Sequence, residues 1–158
     1  MSTAPPLQIH ATCVARDGIG VLLRGASGSG KSDLAFRLLE RGFRLVADDR
    51  VDLRRRDGAL LASAPAALGG LIELRGLGIV AVDPDQRAAR ARLALAVDLM
   101  PREAVERLPD PASAGYLGVA IARVALDAFD ASAPGKVALA LRAAVAASAM
   151  AQLGKPAA

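Results

Sequence analysis

Gly25-Ala26-Ser27-Gly28-Ser29-Gly30-Lys31-Ser32 is the stretch whose reading decides the fold of this chain. It fits G-x-x-x-x-G-K-[S/T], the phosphate-binding P-loop. Ile19-Gly20-Val21-Leu22-Leu23 reads as a short buried strand leading into it. Ser32 to Arg41 reads as a helix leading out, with Leu34/Leu38 and Ala35/Leu39 at i, i+4 spacing. A strand, a glycine-rich turn and a helix N-terminus make an anion site, because backbone N–H groups converge there and the helix end adds partial positive charge. The expected roles follow: residues Gly25, Ala26, Ser27, Gly28, Ser29 and Gly30 cradle the phosphates, Lys31 reaches the β/γ-phosphates, and the Ser32 hydroxyl ligates Mg2+.

Around this motif, 158 residues are expected to form one domain, residues 1–158, with a loose tail over residues 1–6. Aromatic residues make up 3% of the chain and Trp is absent, so the core must be built from Ala, Val, Leu and Ile. The formal charge of +4 suits a polyanionic ligand such as ATP, or an acidic partner. No basic run is interleaved with aromatics, so no nucleic-acid partner is expected. Arg54-Arg55-Arg56 sits beside a turn and reads as a solvated strand end. Cys13 is the single cysteine and lies in an apolar run, which points to a buried thiol. Ser2 to Gln8 is short, polar and proline-bearing, unlike a secretory leader. Val137 to Leu153 is apolar, but short for a membrane span and interrupted by Arg142; it reads as a packed Ala-rich helix in a cytoplasmic protein with no membrane partner.

The remaining pattern is one of short strands. Leu7 to Ala15 reads as a strand, returning through Asp17-Gly18 to Ile19–Leu23, and Asp57-Gly58 marks a second hairpin between Val51–Arg55 and Ala59–Ala62. Phe43 to Ala47 is a compact strand ending in Asp48-Asp49. Leu71–Leu74 and Ile79–Val82 flank Arg75-Gly76-Leu77-Gly78. Asp83–Arg92 reads as a mobile polar connection, Leu93–Leu99 as a strand, Pro101–Leu108 as a short helix, Asp110–Gly118 as a loop and Val119–Ala125 as a strand. The fold class expected is α/β with a mixed sheet, since the early hairpins exclude a purely parallel order.

A phosphate loop names a ligand and no reaction. A carboxylate at the end of a buried strand beside it can hold Mg2+ or act as a base, and adjacent Asp residues in a strand point to opposite faces. Asp48-Asp49 therefore reads either as one base and one anchor, or as an ordinary strand-end turn. Glu73 reads as a second Mg2+ ligand, and Arg75 as a neutraliser of phosphoryl charge; the alternative is a surface Glu–Arg pair. Gly76 and Gly78 would allow close approach of a backbone or ligand. His10, the only histidine, lies in the strand expected to pair with the one leading to the loop, and by residue type alone reads as structural.

Taken in order, His10, Gly25–Ser32, Leu45-Val46-Ala47-Asp48-Asp49-Arg50-Val51 and Ile72-Glu73-Leu74-Arg75-Gly76-Leu77-Gly78-Ile79 resemble the catalytic domain of bacterial HPr kinase/phosphorylase. The resemblance is strong from His10 to about Val82 and traceable to the C-terminal helix. It implies a P-loop-containing mixed sheet flanked by helices, related to phosphoenolpyruvate carboxykinase. It implies an enzyme that uses ATP or pyrophosphate to phosphorylate a serine of HPr, the phosphocarrier of the sugar phosphotransferase system, and that removes the group by phosphorolysis with phosphate. It implies a homohexamer. By this resemblance Asp49 is the base toward the HPr serine and the acid in reverse, Asp48 supports it, and Lys31 binds phosphates. Ser32 and Glu73 hold the metal, His10 and Arg107 belong to the active site, and Gly76 and Gly78 lie in the signature shared by both reactions.

The chain departs from that family in four places. Only a short tail precedes His10, as in truncated, catalytic-domain-only members. Ala11 follows His10 where the family has glycine, and Asp33 stands where glutamate is common. Pro134-Gly135-Lys136-Val137 replaces P-G-R-N, a segment tied to dephosphorylation, so the loss of the arginine fork favours kinase activity over phosphorolysis. Two other readings remain at this point: a P-loop phosphotransferase acting on a small-molecule hydroxyl, a class that usually carries an arginine-rich lid for which Asp83–Arg92 is easily misread, and a nucleotide-binding regulator without turnover. The chain is not a eukaryotic-type protein kinase, since it has no H-R-D or D-F-G.

Overall fold

The computed structural model describes residues 4–154. Part of the expected tail, residues 1–3, lies outside these, and residues 4–6 carry no regular structure. The strands are β1 (Leu7–His10), β2 (Thr12–Arg16), β3 (Ile19–Arg24), β4 (Arg44–Ala47), β5 (Arg50–Arg56) and β6 (Ala59–Ser63), then β7 (Leu71–Leu74), β8 (Gly78–Ala81), β9 (Arg90–Leu99), β10 (Ala112–Tyr116) and β11 (Val119–Leu126). The helices are α1 (Lys31–Leu39) and α2 (Ala133–Leu153). The α/β class with a mixed sheet holds.

The large sheet runs β1-β5-β6-β9-β3-β2-β4. β9 is long enough to take two neighbours on one side: its first residues pair antiparallel with β6, and its second half pairs parallel with β11. On its other side β9 pairs parallel with β3. β3, β9 and β11 thus end together at one edge, and the glycine-rich loop springs from that edge. β7 and β8 form a separate hairpin.

Strand alternation sends side chains into two cores. Val21, Leu23, Leu95 and Val97 face the helices and pack with Leu34 and Leu38 of α1 and Val137 and Leu141 of α2. Cys13, Leu22 and Ala96 face the other way and pack with Leu53, Leu60 and Ile121. The expectation of a buried thiol is met: Cys13 is fully buried, and burial pushes its pKa up to about 12.

Several boundaries differ from expectation for long-range reasons. Leu7–Ala15 is two strands, broken at Ala11, whose N–H leaves the ladder to donate to Asp49 O at 3.2 Å. His10 therefore sits on β1, which pairs with β5, and not on the strand paired with β3. Residues 83–92 are held in place: a 3₁₀ turn spans Pro84–Gln86, Leu45 bridges Arg87, and β9 begins at Arg90. Of the helix expected over 101–108, only a 3₁₀ turn at Arg102–Ala104 forms. Ala112–Tyr116 is a strand hairpinned to β11. α2 packs only through Leu141; from Arg142 onward it is exposed apart from half-buried Ala144. By length and composition alone, with a mean hydropathy of 1.3, Ala133–Leu153 is apolar enough to cross a membrane.

Candidate active site

The loop of residues 25–32 folds as its composition requires. Gly30 caps α1 with φ 98°, and a Cβ there would stand 2.7 Å from Ala128 Cβ, so both backbone and space demand glycine. Gly30 provides no side-chain acceptor for the first N–H groups of α1, which leaves them free for an anion. Lys31 is buried, and its ammonium donates to the carbonyls of Gly25 at 2.8 Å and Ala26 at 3.1 Å. Its charge is thereby held inside the loop.

Beneath the loop, Arg24 ends β3 in a forked pair with Asp98, at 2.7 and 2.9 Å, and donates to Tyr116 Oη at 2.8 Å. Arg123 reaches the same carboxylate at 3.2 Å. The bond to Asp98 holds the Arg24 guanidinium above its ordinary pKa range. This network ties the last residue before the loop to β9, β10 and β11.

Asp48 and Asp49 are not in a strand. They make the corner between β4 and β5, where the N–H of Arg50 donates to the carbonyl of Asp48 at 2.8 Å in a γ-turn. Asp49 takes φ 67°, a left-handed conformation that costs a non-glycine residue of order 1 kcal/mol. The turn separates the two carboxylates. Asp48 is buried and accepts from Thr12 Oγ1 at 2.9 Å, Ser32 Oγ at 2.7 Å and the Glu73 N–H at 2.9 Å. Asp49 is exposed, with Oδ1 2.6 Å from His10 Nε2, and its N–H donates to Thr12 Oγ1 at 3.3 Å.

These groups border a cavity of about 710 Å3 lined by the loop, Asp33, Phe36, Asp49, Glu73, Leu74, Arg75, Leu77 and Phe129. Of the residues expected from sequence, Lys31, Ser32, Asp49, Glu73 and Arg75 meet here. Asp48 stands behind Ser32 and Glu73, and His10 stands behind Asp49. Arg107 lies exposed between Ala104 and β10 and does not line this cavity. Gly76 and Gly78 take φ 95° and 85° with no protein atom within 4 Å of a Cβ, so within the chain they serve the turn between β7 and β8. Sequence reasoning missed Thr12, which ties both aspartates together. A lone hydroxyl in an otherwise apolar strand was its signal, because a buried hydroxyl needs a partner.

Among the described residues, no group of three or more His, Cys, Asp or Glu could hold a metal by itself. Ser32 Oγ, Asp48 and Glu73 nevertheless offer oxygen donors on one side of the loop. Such a set suits a hard cation that takes its other ligands from phosphate and water. The donor chemistry therefore fits Mg2+ beside a bound phosphate.

An α/β domain whose glycine-rich loop opens a helix beside an exposed carboxylate has the make-up of a phosphate-handling site. The HPr Serine kinase C-terminal domain model matches residues 2–155, and the chain belongs to that family. The Hpr(Ser) kinase/phosphatase of Coxiella burnetii is similar in structure, with a TM-score of 0.75 and 26% identity, covering 94% of this chain and 99% of that one. The HPr kinase/phosphorylase of Clostridium botulinum (strain Eklund 17B / Type B) is 47% identical over 79 residues, and that of Listeria welshimeri 49% over 80 residues. Each alignment covers 50% of this chain and 26% of the relative, so the match spans about a quarter of those proteins.

Proposed function

We propose that this chain is an ATP-dependent protein-serine kinase acting on HPr, with Gly25–Ser32 as a P-loop in a fold related to phosphoenolpyruvate carboxykinase. The observation that carries the reading is that one cavity joins Lys31 and Ser32 to Asp49 and Glu73. In the forward reaction the serine Oγ attacks the γ-phosphorus and its proton passes to the Asp49 carboxylate. The new O–P bond forms as the bond to the β-phosphate oxygen breaks, and ADP leaves. His10 orients Asp49 through their 2.6 Å contact. Lys31 holds the β/γ-phosphates, and Arg75 lies in the same cavity to offset charge on the moving group. Ser32 and Glu73, backed by Asp48, would hold Mg2+, which supplies further charge neutralisation when bound. Arg107 is assigned to the active site by family resemblance, and its exposed position makes Arg107→Ala against Arg75→Ala the direct comparison of the two arginines.

A protein acceptor is favoured over a small molecule by the cavity rim. Leu77 is 74% exposed, and Ile79, at 73%, follows it on β8. Leu77 at the cavity edge, with exposed Ile79 two residues on, suits a protein surface better than a soluble metabolite. A turnover-free regulator would not need a strained, exposed carboxylate at the phosphate site. The forward direction is favoured over phosphorolysis. Val137 is fully buried in the helix-side core and Lys136 pairs with Asp130 at 3.9 Å, so neither reproduces the family's Arg-Asn pair. A cytoplasmic location follows from an acceptor in the sugar phosphotransferase system, and a homohexamer would give the exposed half of α2 a surface to pack against.

The test incubates the protein with Mg2+-ATP and HPr and reads intact mass, with an HPr Ser→Ala control. A single phosphate on wild-type HPr alone is the expected result. ATP binding without transfer would overturn the assignment. Adding phosphate to the phosphorylated product then reads the reverse reaction.

A further inference from the structure

A second cavity, of about 460 Å3, adjoins the loop, bounded by residues 26–29, residues 99–103, Asp127 and Phe129. It lies outside the carboxyl ends of β9 and β11, the position at which open α/β sheets receive ligands. Asp48 and Asp49 lie on the other side of β3, because β4 is reached from β3 through β2. Ser27, Gly28 and Phe129 line both cavities. A triphosphate seated in the loop with its terminal phosphoryl toward Asp49 therefore extends its other end toward the second cavity.

Phe129 stands at that junction in an unusual state. The chain has only three Phe, one Tyr and no Trp, yet this ring is 65% exposed. Its backbone is fixed: the Phe129 N–H donates to Asp127 Oδ1 at 2.9 Å, and the Ala128 carbonyl accepts from Arg37. The ring is seated over Gly30, where a Cβ would come within 3.0 Å of it. A rigid, exposed, flat apolar surface beside a phosphate site is suited to a planar partner. The rest of the cavity matches one. Leu99, Met100 and Pro101 are apolar, while Glu103 and Asp127 supply acceptors for an exocyclic amino group. The buried Ser29 hydroxyl in the same wall has no hydrogen-bond partner among the described residues.

We propose that this second cavity is the nucleobase subsite, that it takes the adenine of ATP, and that Phe129 is the stacking platform. The inference rests on the P-loop reading above. The test compares binding of Mg2+-ATP and of Mg2+-tripolyphosphate, which has the phosphates without the base, by calorimetry on the wild type, Phe129→Ala and Phe129→Tyr. Stacking on an aromatic ring sets the expected loss for ATP in Phe129→Ala at roughly tenfold or more. Tripolyphosphate affinity should stay within about twofold, and Phe129→Tyr should bind ATP like the wild type. Equal loss for both ligands would make Phe129 a support for the loop and overturn the subsite, as would unchanged ATP affinity. Tripolyphosphate binding to the wild type as tightly as ATP would also overturn it. A wild type that binds neither ligand would sink the P-loop reading itself.

Discussion

Replacing Asp48 by alanine and by asparagine separates its hydrogen bonding from its charge. The carboxylate is buried and accepts from Thr12, Ser32 and the Glu73 N–H. Hydrogen bonds to an ionised acceptor contribute about 1.5–3 kcal/mol each, so three sum to roughly 4.5–9 kcal/mol. Withdrawing the carboxylate from water offsets several kcal/mol of this. Asp48→Ala should therefore lose about 3 kcal/mol, or roughly 6–12 °C in melting temperature for a chain of this size. Asp48→Asn should lose only about 1 kcal/mol. Its amide oxygen can turn to the Glu73 N–H, which only donates, while its NH2 group turns to two hydroxyls able to accept. Urea unfolding followed by circular dichroism, without nucleotide or Mg2+, measures both. The reasoning is refuted if alanine costs under about 1 kcal/mol, or if asparagine is as damaging as alanine. Both variants should lose Mg2+-dependent transfer, because neither keeps the charge behind Ser32 and Glu73.

Asp49→Asn should abolish transfer while leaving ATP affinity and stability nearly unchanged, since asparagine tolerates positive φ. Asp49→Gly should be inactive yet within about 1 kcal/mol of the wild type by urea midpoint, because relief of the positive φ offsets the lost His10 contact and the added chain entropy, and a loss well beyond that would exclude strain at this corner. Cys13 bears on alkaline stability. Burial holds its pKa at about 12 in the folded chain against an ordinary thiol value of 9.0, so the unfolded state gives up its proton first as pH rises. The stability contributed by the protonated thiol is complete below about pH 9 and falls by about 1.4 kcal/mol per pH unit toward pH 12. Cys13→Ala should remove that slope relative to the wild type, and identical slopes would contradict it. Asp98→Ala should cost about 1.5–3 kcal/mol by releasing Arg24 and Arg123. Because the pair is partly buried the loss should persist in high salt, and its disappearance there would reduce the network to surface screening.

What could be read from the sequence divides by range. The loop, α1 and the Asp-Gly hairpins are encoded locally. Asp17-Gly18 and Asp57-Gly58 both take positive φ, as their residue types favour. The β10–β11 hairpin turns on Leu117-Gly118, with Leu117 at φ 50°, and a leucine there gives no warning. Arg90-Ala91-Arg92-Leu93 does alternate exposed and buried, so the start of β9 was legible to a stricter reading of period two. The break at Ala11 was not, because it follows from a backbone bond to Asp49 far along the chain. Apolar residues run past Leu141 on every side of α2 despite Lys136 and Arg142, so the pattern does not mark Leu141 as the last residue of the core. Phe129 left only a faint trace: an aromatic residue placed in a polar loop of a chain with few aromatics.

The corner at Asp48-Asp49 shows why neighbouring carboxylates can hold different tasks. Alternation along a strand would also have sent them to opposite faces, but it would have paired both backbones into the ladder and fixed both side chains on the sheet. The γ-turn releases the second one. Asp48 stays beneath the loop, where its bonds to Ser32 and Glu73 tie the start of α1 to the β7 hairpin. Asp49 is lifted to the surface, where the proposed acceptor hydroxyl would meet it, and His10 contacts it there from β1. Thr12 bonds to both residues, donating to the first side chain and accepting from the second backbone. Ser32 and Asp49 are thereby linked through the Asp48 carboxylate and one buried hydroxyl. Thr12→Val, which keeps the shape and removes that link, should slow transfer more than it weakens ATP binding. Equal effects on the two would show that the aspartates are positioned independently.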